Sequence, residues 1–347
     1  MNSTVRVMFL AFLVLLARGQ VCFAEEPKDR GAVPDEITPQ TQKAIERGLA
    51  YLASIQAGDG SWPLYGSEGN TGITALAGLA FLSGGNLPGR GKYGANVERA
   101  TEYILKNTRR DGYITAGNSR MYEHGFAALF LAEVYGMTGN PEVKEKLRSA
   151  VTLIERTQNP EGGWRYNPVP FDADISVTIC QIMALRAARN AGIQVSKRVV
   201  DNGIKYVKNC QNGDGGFNYI AGPKLANSPD FSFARTAAGV CSLYYAGEYE
   251  DKAIQKGIDY LYGTMRQSLG NAAMMGHFHY GHYYAVQAMF QAGGKYWTAY
   301  YPLIRDNLVR TQQPDGSWQG FSNAAYASSM SCIILQVPYR YLPVLQR

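Results

Sequence analysis

The segment Gln56-Ala57-Gly58-Asp59-Gly60-Ser61-Trp62 returns near the far end of the chain as Gln312-Gln313-Pro314-Asp315-Gly316-Ser317-Trp318. Variants lie between them, at Asn107–Tyr113, Gln158–Trp164 and Gln211–Phe217. The acidic residue of the phrase falls at Asp59, Asp111, Glu161, Asp214 and Asp315, at intervals of 52, 50, 53 and 101 residues. The last interval is two periods, which predicts a sixth, degenerate copy near Met265–Gln267. A fixed period of this length specifies a repeat architecture, in which each unit buries its apolar face only against its neighbours. Most of the conspicuous residues are then scaffold, and function has to be sought where the copies differ.

Each phrase separates two helical patterns of opposite character. Before the first phrase, Thr38 can cap and Pro39 suits the first helical position. Ala44, Gly48, Leu49, Leu52 and Ile55 then recur at helical spacing. After it, Thr71–Leu82 is apolar on all sides until Gly84-Gly85, the mark of a buried helix. The same contrast sets charged-faced helices over Asn96–Asn107, Pro141–Thr157, Ser196–Cys210 and Tyr301–Thr311 against apolar ones over Gly125–Tyr135, Ile175–Arg189, Phe233–Tyr245, Tyr283–Gln291 and Ala325–Leu335. Amphipathic helices alternating with fully apolar ones imply two layers. Six pairs that close on themselves give an all-α (α/α)6 toroid, six inner helices inside six outer ones, with an open solenoid as the alternative.

The remaining bulk features bound where the chain works. Arg6, the apolar run Val7–Ala17 and Cys22-Phe23-Ala24 read as a signal peptide over residues 1–24. This predicts export to the periplasm or beyond, an uncleaved anchor being the alternative. Residues 25–40 read as a flexible leader, and 41–347 as a single toroidal domain. The net charge of +6 is mild and comes without a Lys/Arg stripe, so no nucleic-acid partner is expected. Cys180, Cys241 and Cys332 lie in apolar segments and read as buried thiols, with a Cys180–Cys241 bridge open to an exported chain.

Arg47-Gly48-Leu49-Ala50-Tyr51-Leu52, followed by Gln56 and Gly60-x-Trp62, resembles the QW motif of squalene–hopene cyclases. The same repeat occurs in the β subunits of protein prenyltransferases. The resemblance covers roughly residues 40–335. It implies an (α/α)6 toroid in which Gln and Trp tie outer helices to loops. Function does not follow from the fold, which also carries polysaccharide lyases, cobalamin carriers and thioester domains. The thioester signature Cys-x-Glu-Gln is absent.

With the scaffold subtracted, the acidic residues of the phrases read as turn formers and Trp62, Trp164 and Trp318 as structural. The first turns of the inner helices remain, where a barrel mouth meets the positive ends of helix dipoles. In the third copy, Phe171-Asp172-Ala173-Asp174-Ile175-Ser176 resembles the DxDD acid motif of class II terpene cyclases. The resemblance makes Asp174 the proton donor and Asp172 its partner, while Ile175 stands where the family has its last Asp. Two crowded carboxylates would raise one pKa; the competing reading is helix capping alone. In the fifth copy, three of the chain's four histidines, His277, His279 and His282, fall within six residues. His279 and His282 have a spacing that zinc permits, against the reading of cavity lining. The Asp-x-Cys pair with which prenyltransferases hold zinc is absent, and no other cofactor is expected. Glu123 and His124 could act as base and orienter or cap a helix, and Arg235 could recognise an anion or pair locally with Asp230. Tyr122, Tyr166, Tyr219, Tyr280, Tyr283, Tyr284 and Tyr326 cluster at the same turns. They suit carbocation stabilisation, sugar stacking or an amphipathic lipid, or the packing of a crowded toroid.

Three functions fit. The chain acts on an isoprenoid, as a cyclase- or prenyltransferase-like enzyme. Or it is a scaffold that binds a hydrophobic ligand, glycan or partner protein without chemistry. Or it is a carbohydrate-active enzyme on the same fold. The partner is a hydrophobic small molecule or lipid in the first reading, with peripheral membrane contact.

Overall fold

The computed structural model describes residues 36–63, 68–116, 119–222, 229–269, 277–320 and 322–345. The signal peptide expected at 1–24, and the leader as far as residue 35, lie outside the described residues. Among the described residues, twelve α-helices alternate between two layers. The outer ones are α1 (Pro39–Ser54), α3 (Gly94–Lys106), α5 (Pro141–Arg156), α7 (Lys197–Asn209), α9 (Lys252–Thr264) and α11 (Gly294–Thr311). The inner ones are α2 (Thr71–Ser83), α4 (Met121–Thr138), α6 (Ile175–Asn190), α8 (Pro229–Ala246), α10 (Phe278–Ala292) and α12 (Ala324–Gln336). Every residue of α2 is buried, whereas α7 buries only a stripe of Val199, Gly203, Tyr206 and Val207. Each inner helix packs on the next, and α12 packs back on α2, while α1 lies against both α11 and α12. The ring is closed, so the chain forms an all-α toroid and not an open solenoid.

The phrases close the ring by one repeated device. The Gln side chain donates both to its own loop and to the backbone of the next outer helix. Gln56 Nε2 reaches Gly60 O at 2.9 Å and Asn96 O at 3.1 Å. Gln158 reaches Gly162 O and Val199 O, and Gln211 reaches Gly215 O and Ala253 O. Gln312 Nε2 bonds Gly316 O at 2.9 Å and Ala44 O at 2.8 Å, joining the last phrase to the first helix. The Trp indoles point the other way: Trp62, Trp164 and Trp318 Nε1 donate to Leu52 O, Ile154 O and Leu308 O. Asp59, Asp111, Asp214 and Asp315 accept from the backbone N–H two residues on, the turn role expected of them. Gly316 has φ +92°, and a Cβ there would lie 2.6 Å from Arg47 O. Only glycine lets this loop approach α1.

Two local expectations change, and the expected buried thiols hold. The second phrase runs one residue later than its sequence match, Ile114 taking the slot of Trp62, since Ile114 N donates to α4 as Trp62 N donates to α2. Helix α11 starts at Gly294, well before Tyr301, with Pro302 inside it. Burial of Trp297, Tyr300 and Tyr301 offsets the hydrogen bond Pro302 cannot make. Cys180, Cys210, Cys241 and Cys332 are all buried and free, so Cys180 and Cys241 form no bridge.

Beyond α12 the chain crosses the C-terminal ends of the inner helices. Val344 and Leu345 are buried there. Gln291 of α10 donates to Leu345 O, and the Val344 backbone lies against the carboxyl of Glu133 on α4. Because α4 and α10 stand opposite each other in the ring, this segment lies across the barrel floor. Burial pushes Glu133 up from 4.5 to about 8.

Gln312→Ala leaves Ala44 O and Gly316 O without their donor and should cost about 1–3 kcal/mol in urea unfolding; an unchanged midpoint would contradict the closing role. Glu133 is neutral in the fold, while the unfolded chain releases its proton above about pH 4.5. Ionisation therefore favours the unfolded chain increasingly as pH rises, by about 1.4 kcal/mol per unit, until the folded group titrates near pH 8. The stability of Glu133→Gln relative to wild type should rise from pH 5 to pH 8, and a flat difference would refute the buried acid.

Candidate functional site

The N-terminal ends of the inner helices surround a cavity of about 520 Å³, inside the range of about 300–1,000 Å³ common for small-molecule sites. Its apolar wall includes Ile73 and Leu76 of α2, Phe126 of α4, Ala234 of α8 and Phe278 of α10. Tyr122, Tyr166, Tyr219, Tyr280 and Tyr326 add rings with polar tips, and Glu123, Arg235, His277 and His279 are the other ionisable side chains among the described residues that line it. Of the expected site residues, then, Glu123, Arg235, Tyr280, Tyr326, His277 and His279 share one cavity. Asp172, Asp174, His124, Tyr283 and His282 are not in its wall.

Asp174 is the N-cap of α6 and is fully buried. Its Oδ1 accepts from Ser176 N at 2.9 Å, Val177 N at 2.9 Å and Ser176 Oγ at 2.7 Å. Its Oδ2 makes no close hydrogen bond; the Tyr219 hydroxyl lies within looser reach of the carboxyl, and Arg165 Nε stands 3.7 Å from Oδ2. Asn70 and Asn323 cap α2 and α12 through the same oxygen position, so a neutral amide suffices for capping. The ionisable group is what the third copy adds. Burial raises the Asp174 pKa, opposed by the Val177 and Ser176 hydrogen bonds, by Tyr219 and by Arg165. Asp172 does not crowd it. That residue is partly exposed and pairs with Arg165 Nη1 at 2.9 Å, so desolvation, not carboxylate repulsion, perturbs the acid. Hydroxyls join Asp174 to the cavity: Tyr122 donates to Ser176 Oγ at 2.7 Å, and Ser176 Oγ donates to Asp174. Tyr219 lies beside the carboxyl and shares a 2.5 Å hydrogen bond with Tyr166.

The histidines divide between scaffold and cavity. His124 Nδ1 accepts from Ile114 N, in the slot where Thr74, Thr178, Thr236 and Ser328 receive the N–H of the phrase aromatic. It is fully buried and not poised to orient a base. His282 Nε2 sits 3.0 Å from Ser268 O, and its Nδ1 2.8 Å from Tyr300 Oη. A carbonyl only accepts, so Nε2 carries the proton and Nδ1 accepts from Tyr300. Both nitrogens are committed, and His282 ties the decayed fifth phrase to α10 as a neutral ring that burial holds down at about 4. No group of three His, Cys, Asp or Glu that could hold a metal occurs among the described residues, and the hydrogen bonds of His282 leave it no free nitrogen to offer a zinc ion. His279 reaches the cavity with Nε2 unpartnered, and burial lowers it to about 3.

Glu123 lies within the first turn of α4 and accepts from Arg120 N at 2.7 Å. It both caps its helix and lines the cavity. The side chain of Asp230 lies outside the described residues. Tyr283 is buried below the cavity, its ring edge-on to Phe126 at 6.0 Å and to Tyr284 at 4.9 Å, so it packs the barrel and does not line the cavity. The sequence reading missed Ser176, Phe126 and Phe278. Ser176 could have been found from the Asp-x-Ser spacing that also appears at Asp59 and Ser61.

Residues 127–303 match the family described as the squalene–hopene cyclase C-terminal domain. Drimenyl diphosphate synthase from Streptomyces showdoensis is 28% identical over 199 residues, which are 54% of this chain. The match covers 34% of that relative's length, so the chain spans about a third of it. The type II terpene cyclase MstE from Scytonema superposes with TM-score 0.61 at 16% identity, over 88% of this chain and 100% of the other. A variant of that cyclase has been solved with its substrate, geranylgeranyl dihydroxybenzoate. Cellobiose 2-epimerase from Bacillus thermoamylovorans superposes with TM-score 0.63 at 12% identity, over 86% and 98%. These structural likenesses establish the toroid, which carbohydrate enzymes share.

Proposed function

This chain belongs to the squalene–hopene cyclase C-terminal domain family, and from that premise we propose that it is an exported protein that holds an isoprenoid in the tyrosine-lined cavity and protonates it from Asp174. The observation that carries the reading is the buried Asp174 carboxyl, whose second oxygen makes no close hydrogen bond and which has the cavity-lining Tyr219 hydroxyl beside it. Oδ1 is saturated by three donors, so the acidic proton resides on Oδ2. In the proposed step the Tyr219 hydroxyl, which borders both carboxyl and cavity, gives its proton to an alkene as it takes the one from Asp174. A C–H bond forms, the π bond is consumed, and a carbocation is left facing the faces of Tyr122, Tyr280 and Phe126, which stabilise it. The degenerate acid segment keeps the donor and lacks only the last Asp. The exposed Phe171 and Val169, 84% and 49% accessible in the loop between Tyr166 and Asp174, support ligand entry from a lipid surface.

A second reading has its own observation. Asp174 is fully buried and stands behind the wall, as in a scaffold that retains ligand without turnover. A glycosidase reading is weaker, since such enzymes use paired carboxylates and Glu123 is the one carboxylate among the described residues lining the cavity.

The test is incubation of residues 25–347 with a length series of linear isoprenoids, squalene and geranylgeranyl dihydroxybenzoate included, with products read by mass spectrometry. Cyclic products are expected from wild type. Asp174→Asn, which keeps the cap as Asn70 and Asn323 do, should lower turnover about 10²–10⁴-fold with the melting temperature little changed. Equal ligand retention by both proteins with no cyclic product from either would select the binding reading.

A further inference from the structure

The contacts around Asp172 assign it a task different from crowding its neighbour. Arg165 lies between the two aspartates. Its Nη1 is 2.9 Å from Asp172 Oδ2, and its Nε is 3.7 Å from Asp174 Oδ2, the oxygen without a close hydrogen bond. The guanidinium also lies over the rings of Tyr166 and Tyr219, at 5.3 and 5.8 Å. These contacts restrict it to a short arc between the surface carboxylate and the buried one. The other titratable groups facing Asp174 are Tyr122 of α4, Cys180 of α6, Tyr206 and Cys210 at the end of α7, Tyr219, and Tyr280 of α10. Burial raises every one of them, so all are neutral near pH 7 and Arg165 is the cation of the group.

We propose that Asp172 is a positioning residue that holds the Arg165 guanidinium at the surface and off Asp174 Oδ2. A guanidinium shared with Asp172 has part of its charge compensated and its best hydrogen bond already made. Released, it needs to move less than an ångström to reach hydrogen-bonding distance of Oδ2, where it would keep Asp174 ionised. An ionised Asp174 has no proton to give, so loss of Asp172 disables the acid without either residue touching a ligand. This extends the reading of Asp174 as proton donor and rests on it.

The test reads protonation directly. Residues 25–347 are labelled with carboxyl-¹³C aspartate, and the Asp174 carbon, assigned by its absence in Asp174→Asn, is titrated by NMR. Four proteins are compared: wild type, Asp172→Asn, Arg165→Gln and the double variant, all with ligand absent. Asp172→Asn should lower the Asp174 midpoint by about one to three units when Arg165 is present, and leave it unmoved in the Arg165→Gln background. An equal fall in both backgrounds would mean direct repulsion between the carboxylates and would overturn the proposal, as would no fall in either. Because no turnover is measured, failure of the isoprenoid reading is seen separately, as a missing cyclic product with the NMR pattern intact.

Discussion

The fold depends on a side-chain amide that bonds two backbones at once. A single helical hairpin of this chain cannot bury its inner helix, and nothing in its own hydrogen bonds specifies where the next pair should sit. The Gln of the phrase supplies that information: one N–H fixes its own turn, the other reaches a carbonyl in the first turns of the following outer helix. Repeated at Gln56, Gln158 and Gln211, the bond sets a constant rotation per unit. Made once more by Gln312 to Ala44, between residues 268 positions apart, it turns a row of hairpins into a ring. The tight glycine turns and the Trp indoles serve the same bond, the former by close approach and the latter by pinning the loop to the helix that precedes it.

Closure decides where chemistry can occur. The six inner helices run parallel, so their N-termini gather at one mouth and their C-termini at the other. The C-terminal side is filled by the chain beyond α12, gripped from opposite walls by Gln291 and Glu133. The midplane is filled by Tyr283 and Tyr284, packed beneath the cavity-lining Phe126. What remains is the N-terminal mouth, where caps, dipoles and an unfilled volume coincide. Two inner-helix caps there are Asn and one is Asp174, and that difference of one atom type turns a capping site into a buried acid.

The sequence revealed the ring because period, turn glycines and the contrast between charged and apolar helices survive in the residue order. It revealed the site only in part. Glu123, Arg235, His277, His279, Tyr280 and Tyr326 were legible as copy-specific residues at inner-helix starts, and they do meet. His124 and His282 were misleading because they occupy structural slots: the hydroxyl position of Thr74 and Thr178 in one case, the repair of the decayed fifth phrase in the other. Comparing the copies slot by slot would have shown this for His124. Tyr283 failed for a different reason: it stands three residues further along α10 than the cavity tyrosine Tyr280, a rise of about 4.5 Å, which carries its ring from the cavity wall into the packed midplane. The partition of Arg165 between two aspartates was not legible at all, because it is a matter of tenths of an ångström.

The most direct measurement is a crystal structure of residues 25–347 with a bound linear isoprenoid, at a pH below the Asp174 midpoint so that the acid is neutral. The account predicts the chain threaded among Tyr122, Tyr219, Tyr280 and Phe126, with its terminal alkene against Tyr219 on the Asp174 side. A cavity that excludes the isoprenoid, or one that holds it with its polar head toward Asp174, would contradict the account.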